Sequence, residues 1–418
     1  MYYVQEIASD IFWVGGTDKR LERFENMFPL PQGVAFNSHL ILDEKTALMD
    51  TVDAAISAQF LENIEHVLNG RSLDYLVVGH MEPDHCANIE ELLRRYPDLK
   101  IVGNKKTFQF LEQFYTFSKP DNYLIVKEGD ELPLGRRTLR FFMAPFVHWP
   151  EVMFSYEVTE KILFSADAFG CFGSLSGNIF ADQTDFEGVY LDESRRYYSN
   201  IVGKYGPQVQ TVLKKLAKLE IEMIVPLHGP IWRENLPYII DKYQHWSTYQ
   251  PEKKGVVLVY ASMYGNTENV MNLIAGKLAA KGVQDIRMYD VSKTHPSYII
   301  ADAWKFSHLV FGSPTYNLGL YHGMQALLHE MASLNLQNRK VALVGNYTWA
   351  NAAVRDMTEI IESMKKIEFI GEPFEIQSAL KAEQLPELDQ LVEAIYASLN
   401  ADSAELVAEG AGTSTKLI

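Results

Sequence analysis

The stretch Val77-Val78-Gly79-His80-Met81-Glu82-Pro83-Asp84-His85-Cys86 sets two imidazoles and two carboxylates within six positions, directly after an apolar run. Leu76 to Gly79 reads as a buried strand, being short, β-branched and bounded by charge on one side and a proline-containing turn on the other. His80, Glu82, Asp84 and His85 therefore lie on a strand exit, where layered α/β folds build their sites. Imidazole with carboxylate suits zinc, iron or manganese, and the lack of a nearby thiolate pair argues against a structural zinc clip. A solvated polar turn is the plainer reading, and residues further along the chain weigh against it.

Those residues are His148 in PFVHWPE, Asp167 in ILFSADAFG and His228 in MIVPLHGP. Each follows an apolar run: Phe141 to Val147, Ile162 to Ala166, and Met223 to Leu227. Taken singly, a histidine beside Trp149 is more often packed, Asp167 more often caps a turn, and His228 before Gly-Pro is more often a loop residue. Four strand exits that each end in a ligand type point instead to one shared site at the edge of a β-sandwich core.

The chain has 418 residues, 47% of them hydrophobic, which is enough for two domains with well-filled cores. No stretch approaches the roughly 20 apolar residues that span a bilayer, and MYYVQEIASDIFWVGG lacks the pattern of a signal peptide, so a cytoplasmic protein without membrane segments is expected. Cys86 and Cys171 are the only cysteines. They allow no disulfide framework, C-x-x-C rubredoxin-type iron site or cluster-binding spacing, so any iron must be held by nitrogen and oxygen. A net charge of -16 with no basic stripe argues against nucleic acid as a partner.

The Pro/Gly-punctuated segment Tyr249 to Gly255 precedes the apolar strand Val256 to Tyr260, and the domain boundary is placed there: 1–252, then 253–400, with 401–418 as a flexible tail. The first domain mixes strand and helix and opens with paired strands at Ala35 to Leu42 and Thr46 to Thr51. The second alternates strands near Val256, Ile286, Leu309, Val341 and Phe374 with helices near Val270, Ser297, Met324, Ala353 and Leu388. Five such units predict a doubly wound parallel sheet.

Three strand exits of that sheet carry hydroxyl- and amide-rich loops. The first, Ser262-Met263-Tyr264-Gly265-Asn266-Thr267, runs into a helix and reads as a cradle for a terminal monophosphate, built from backbone amides and hydroxyls without lysine. It has neither G-x-G-x-x-G nor G-K-[ST], which disfavours dinucleotides and ATP. A plain helix cap is the modest alternative. The second loop is Ser313-Pro314-Thr315-Tyr316-Asn317; the third is Gly345-Asn346-Tyr347-Thr348-Trp349 followed by Ala350-Asn351.

The pattern H-x-E-x-D-H followed by H, D and H resembles the flavodiiron proteins over essentially Met1 to Asn400, and the loops beyond Gly255 resemble those of flavodoxins. The resemblance implies a two-domain fold, α+β then α/β: a metallo-β-lactamase-like αββα sandwich followed by a flavodoxin-like doubly wound sheet. It implies two non-haem irons and FMN as cofactors. His80, Glu82 and His148 would hold the iron nearer the flavin, Asp84, His85 and His228 the other, and Asp167 both. The FMN phosphate would rest on Ser262 to Thr267 and its ring between Pro314–Asn317 and Tyr347–Asn351, with Trp349 stacking on it.

Hydrolytic members of the lactamase-like fold resemble H-x-H-x-D-H, and Glu82 here replaces the second histidine with a harder oxygen ligand, which shifts the balance from zinc towards iron. The implied activity is reduction of dioxygen to water or nitric oxide to nitrous oxide. Electrons would come from an external donor such as rubredoxin, or from reduced deazaflavin, in a head-to-tail homodimer or dimer of dimers with Trp149 near the junction. A lactamase-like binuclear hydrolase with a regulatory flavodoxin-like domain is the alternative, and a redox sensor with a vestigial metal site is a third reading. The chain departs from the family pattern in several places. Thr348, Asn351 and Ala352 stand where glycines are usual, Glu25 or Asn26 where a nearby histidine is usual, and Cys86 where a small residue is common. Tyr197 or Tyr198 resembles a tyrosine near the diiron centre.

Overall fold

In the computed structural model, which describes residues 2–116 and 120–410, the chain divides into two units between Thr248 and Tyr249. The first unit holds two mixed sheets. One runs in the order Gln5–Ala8, Ile11–Trp13, His39–Ile41, Ala47–Met49, Tyr75–Val77, Lys100–Gly103, Tyr123–Ile125, antiparallel as far as Ala47–Met49 and parallel beyond it. The other runs Glu131–Pro133, Thr138–Met143, Met153–Glu157, Ile162–Phe164, Met223–Val225, antiparallel except for the last pair. Because strand side chains alternate between faces, Met49, Val77 and Val102 from the first sheet meet Leu139, Phe141, Met153, Phe164 and Val225 from the second in one buried core. This is the sandwich expected from the sequence.

One expected strand is corrected. Ala35 to Leu42 is broken at Asn37 and Ser38: Val34–Phe36 pairs with Gly16–Asp18, whereas His39–Ile41 joins the seven-stranded sheet. The buried Asn37 side chain accepts from Trp13 Nε1 at 2.8 Å and donates to the carbonyls of Pro226 and Gly229 at 2.9 and 2.8 Å, while its amide donates to Leu227 O. The hydrogen bonds that a continuous ladder would have used are spent on the loop that carries His228.

The second unit has the order Ile286–Asp290, Lys253–Tyr260, Phe306–Tyr316, Arg339–Tyr347, with Ile367–Phe369 and Phe374–Gln377 both beside the last of these and every one of these pairs parallel. Helices Asn266–Ala280, Pro296–Lys305, His322–Ser333, Ala353–Glu362 and Leu385–Gly410 alternate with the strands, giving the doubly wound flavodoxin-like arrangement. The strand expected near Phe374 is preceded by a separate piece, Ile367–Phe369. Between the two, Gly371 has φ +65 and Pro373 has no amide proton to donate. Of the expected tail, residues 401–410 belong to the last helix and 411–418 lie outside the described residues. Among the described residues, no helix is long and apolar enough to cross a membrane.

Arg339 fixes where the second unit begins. Its buried guanidinium donates to the carbonyls of Ala303 and Trp304 at 2.7 Å, Tyr249 and Asn338 at 2.8 Å and Gln337 at 2.9 Å. Burial lowers its pKa to about 9. Tyr249, which the sequence had assigned to the end of the first domain, is thereby held by the second unit. Arg339→Ala leaves these carbonyls without their donor, and each buried unsatisfied group costs about 1–3 kcal/mol. A loss of at least about 3 kcal/mol is therefore expected in urea unfolding of the second unit, followed by fluorescence of its tryptophans, with Arg339→Lys only partly restoring it.

Candidate functional site

The chain enters the candidate site through a tight turn. The buried Asp50, at φ +54, accepts from the amides of Gly79 at 2.7 Å and His80 at 3.2 Å and so bends the exit of strand Tyr75–Val77 inward. A Cβ at Gly79 would stand 2.9 Å from Asp50 Oδ2 and 3.0 Å from Met153 O, so only glycine fits there. Burial raises the pKa of Asp50 to about 6, against the pull of His85 and of those two amides. Glu82 stays extended ahead of Pro83, and the four-residue helix Pro83–Cys86 carries Asp84 and His85.

The second sheet supplies the rest from the same edge. Its strand directions bring together the C-terminal end of Thr138–Met143, the N-terminal end of Met153–Glu157 and the C-terminal ends of Ile162–Phe164 and Met223–Val225. The strands stop at Met143, Phe164 and Val225, earlier than the apolar runs suggested, so His148, Asp167 and His228 all stand on loops.

The seven side chains form two buried groups, His80, Glu82, His148 and Asp167 in one and Asp84, His85 and His228 in the other, with the ligand atoms of each within 4.8 Å of one another. Asp167 faces both. Its Oδ2 lies 3.3 Å from His80 Nε2 and 3.1 Å from His148 Nε2, and its Oδ1 lies 3.2 Å from His85 Nε2 and 3.6 Å from His228 Nε2. Glu82 Oε2 completes the first group, 3.3 Å from His80 Nε2 and 3.1 Å from His148 Nε2. Asp84 Oδ2 completes the second, 3.3 Å from both His85 Nε2 and His228 Nε2.

At His80, Glu82, His85, His148 and Asp167 burial opposes the charge, and opposite charges overcome it. Asp167 and Glu82 are held well below the usual carboxylate range by the surrounding imidazoles. His80 is held well above the usual imidazole range, foremost by Asp167, while Asp84 and Asp167 lift His85 to about 9, and Asp167 and Glu82 do the same for His148. Both oxygens of Asp84 and Asp167, together with His85 Nε2 and His228 Nε2, are nevertheless buried without a hydrogen-bond partner. Such groups are costly unless something else satisfies them. A cation at the centre of each group would do so, and a donor set of imidazole nitrogens and carboxylate oxygens fits a pair of first-row divalent metals.

Several neighbours were ambiguous or unread in the sequence. The hydroxyl of Tyr197 is buried without a hydrogen-bond partner, with its ring 5.6 Å from that of His228, whereas Tyr198 packs on Tyr243 and Trp246. Glu25 is exposed as a residue, yet its carboxyl is hydrogen-bonded to Glu82; burial and then the Glu82 carboxylate raise its pKa to about 8. The buried Cys86 thiol donates to Met81 O and burial pushes its pKa up to about 12, as suits a packing residue. Glu151 was not read from the sequence as part of the site at all. It stands two residues ahead of strand Met153–Glu157, and no local pattern marked it as buried.

In the second unit a cavity of about 270 Å³ opens on the predicted loops. Ser262, Met263, Tyr264, Asn266 and Thr267 line it from the first loop, Pro314, Thr315 and Asn317 from the second, and Asn346, Tyr347, Thr348 and Trp349 from the third. Gly265, Ser313, Tyr316, Gly345 and Asn351 do not line it; Ala350 of the third loop does, as do Leu318 and Ser378, which were not anticipated. Gly265 has φ +88, which places the turn at the start of helix Asn266–Ala280, and Ser262 Oγ accepts from the amides of Gly265 and Glu268. Ser378 is drawn in from the last strand exit by hydrogen bonds to Asn346 Nδ2 and Thr348 Oγ1. Thr315 Oγ1 takes the amides of Ala352 and Ala353, so the third loop is anchored to the second. The apolar walls are solvent-facing: Tyr264 is 92% exposed and Trp349 85%. A neutral cradle at a helix N-terminus beside open aromatic side chains fits a phosphate-bearing flat ring.

Comparison with known proteins agrees with both halves. Residues 34–229 match the family model described as ODP family beta lactamase, and residues 258–393 match the flavodoxin model. A nitric oxide reductase of Moorella thermoacetica is 32% identical over 88% of this chain and 91% of its own length. The rubredoxin oxygen:oxidoreductase of Desulfovibrio gigas is similar in structure with a TM-score of 0.91 at 27% identity, over 96% of this chain and 100% of that one. The flavodiiron protein of Giardia intestinalis has a TM-score of 0.87 at 25% identity, over 96% and 98% of the respective chains.

With pKa values near 9, His85 and His148 of the metal-free chain carry protons at neutral pH that a metal must displace. Apparent affinity for ferrous or cobaltous ion is therefore expected to rise with pH from neutrality to about 9, with protons released on binding. Calorimetric titrations in two buffers of different ionisation heat measure both.

Proposed function

Because the chain belongs to the flavodiiron protein family, we propose that it is an oxidoreductase that reduces dioxygen to water, nitric oxide to nitrous oxide, or both, at a non-haem diiron site fed by FMN. The observation that carries this reading is Asp167, one oxygen of which faces each of two buried ligand groups. His80, Glu82 and His148 are the residues that would hold one iron and Asp84, His85 and His228 the other, with Asp167 shared; the three loops around Ser262–Thr267, Pro314–Asn317 and Asn346–Trp349 would hold FMN. When bound, the iron pair and the flavin supply two electrons each; the four together match reduction of dioxygen to two waters, and two of them suffice to reduce two nitric oxide molecules to nitrous oxide and water. The relatives named for nitric oxide and oxygen reduction, and Glu82 in place of a histidine, turn the reading away from hydrolysis.

The chain's own residues contribute burial, orientation and protons. The seven ligand side chains are shielded from water, which strengthens their electrostatic hold. Glu25 and Tyr197 are protonated groups beside the cluster: burial and the Glu82 carboxylate keep the proton on Glu25, and burial with the Asp167, Glu82 and Asp84 charges keeps it on Tyr197. Trp349 and Tyr264, open to solvent on the cavity rim, would cover a flavin ring.

The same reading includes a head-to-tail homodimer, or a dimer of such dimers, in which the flavin edge of one copy faces the metal edge of another. It is supported by the exposed large apolar side chains on the cavity rim, Met263, Tyr264, Leu318 and Trp349, and by exposed Phe146 in the loop that carries His148. Electrons would arrive from a separate donor such as rubredoxin, or from reduced deazaflavin. A cytoplasmic location accords with two free, buried cysteines.

Purified protein is expected to contain about two irons and one FMN per chain and to consume dioxygen or nitric oxide when reduced by an artificial donor. Parallel steady-state assays with the two gases rank them as substrates, and a preparation with two zincs and no gas consumption would sink the reading. Glu25→Gln is expected to lower turnover by up to about 100-fold with iron content unchanged, the lower end of what a positioned proton donor contributes. Full turnover by a monomer in light scattering and activity assays would contradict the dimer.

A further inference from the structure

Glu151 is a carboxylate inside the protein with one cationic neighbour to justify its burial. It is 1% exposed. Its Oε1 accepts from His80 Nδ1 at 2.8 Å and from the Met81 amide at 2.9 Å, and its Oε2 is buried without a hydrogen-bond partner. Among the described residues no lysine or arginine forms an ion pair with it; its ion-pair partner is His80. Burying an anion is costly unless an opposite charge lies close. Here the opposite charge can reach Glu151 only through the imidazole of His80, the far nitrogen of which faces Glu82 and Asp167.

The backbone is arranged to keep it there. Asn104 caps helix Lys105–Phe114, its Oδ1 accepting from Lys106 and Thr107, and its Nδ2 donates to Glu151 O. The two ligand groups differ in this respect. His228 Nδ1 meets the neutral carbonyl of Ala35 at 2.9 Å, and His85 Nδ1 has no hydrogen-bond partner. The remote nitrogen of neither is in contact with a charged group. A carboxylate behind a metal-bound imidazole fixes its tautomer and raises its basicity.

We propose that Glu151 is a positioning residue for the metal position formed by His80, Glu82 and His148: it holds the proton of His80 on Nδ1, aims Nε2 at the metal, and makes this position hold metal more tightly than the one formed by Asp84, His85 and His228. The inference rests on the two-metal reading above. It adds an order to the two sites, which the symmetric sharing of Asp167 does not supply.

The test compares wild type, Glu151→Gln and Glu151→Asp as iron-loaded full-length proteins, by iron content, release of iron to a ferrous chelator, and Mössbauer spectra. Glu151→Gln is isosteric and keeps an oxygen acceptor for His80 and Met81, so a change traces to the lost charge. One iron per chain is expected to leave the Gln variant about 10- to 100-fold faster than from wild type, with the other unchanged and only one of two Mössbauer doublets altered. Wild-type kinetics in the variant, or equal acceleration of both irons, overturns the inference while leaving the two-metal reading intact. Fewer than two irons in wild type overturns both. If the Gln variant folds too poorly to load, Glu151→Asp answers alone: a change confined to one doublet supports the proposal, and a change in both or in neither overturns it.

Discussion

The Asp167 carboxylate is the constraint on which the first unit depends. Four imidazole nitrogens lie within 3.6 Å of its two oxygens, and they come from three segments far apart in sequence. An anion buried so completely is tolerable only if all of these segments arrive together. The two sheets must therefore share one edge, with the strand directions of the second sheet bringing three loops to meet the exit of Tyr75–Val77. Smaller features serve the same end. Gly79 lets the chain pass Asp50 and Met153 O, and Asn37 gives up a continuous strand to hold the Pro226–Gly229 loop.

The second unit solves a different problem. A centre that holds charge must be dry, because water would weaken every interaction that concentrates cations there. A flat redox ring must instead remain within reach of a donor and an acceptor. The first unit accordingly buries its polar groups, and the second exposes its aromatic ones on a rim that, among the described residues, carries no lysine or arginine. The loops of that rim are tied to one another by short side chains, Asn346 to Thr267 and Ser378 and Thr315 to the amides of Ala352 and Ala353. Two of the positions where glycines are usual in related loops, Thr348 and Ala352, take part in this cross-bracing, so the backbone there is fixed by hydrogen bonds as well as by space.

Much of this was legible in the chain because it depends on local pattern. Strand Lys253–Tyr260 is a β-branched run with a boundary signal before it, and each of the five helices of the second unit lies where its period predicted. The candidate ligands could be picked out because the run His80–His85 and each of His148, Asp167 and His228 come after an apolar run. Legibility failed where a residue's partner is distant. Asn37 looks like part of a strand until Pro226 and Gly229 are beside it, and Arg339 looks like a surface charge opening a strand until the carbonyls of Ala303, Trp304 and Tyr249 surround it. Glu151 stood in the quoted HWPE run, but nothing local marks a carboxylate as buried. Ser378 follows a strand that the sequence placed correctly, yet its role depends on hydrogen bonds to Asn346 and Thr348, about thirty residues earlier.

The sequence by itself determined the two-unit plan, the kinds of side chain in the buried cluster and their loops, and the neutral character of the loop Ser262–Thr267, because residue type and spacing carry that information along the chain. Only the tertiary structure decided which imidazole nitrogen faces which carboxylate oxygen, which oxygen of Asp167 faces which group, that Tyr197 rather than Tyr198 faces them, and that a buried carboxylate stands behind His80. Those are relations across space. Their energies depend on burial and on distances of about 3 Å, which no linear spacing encodes.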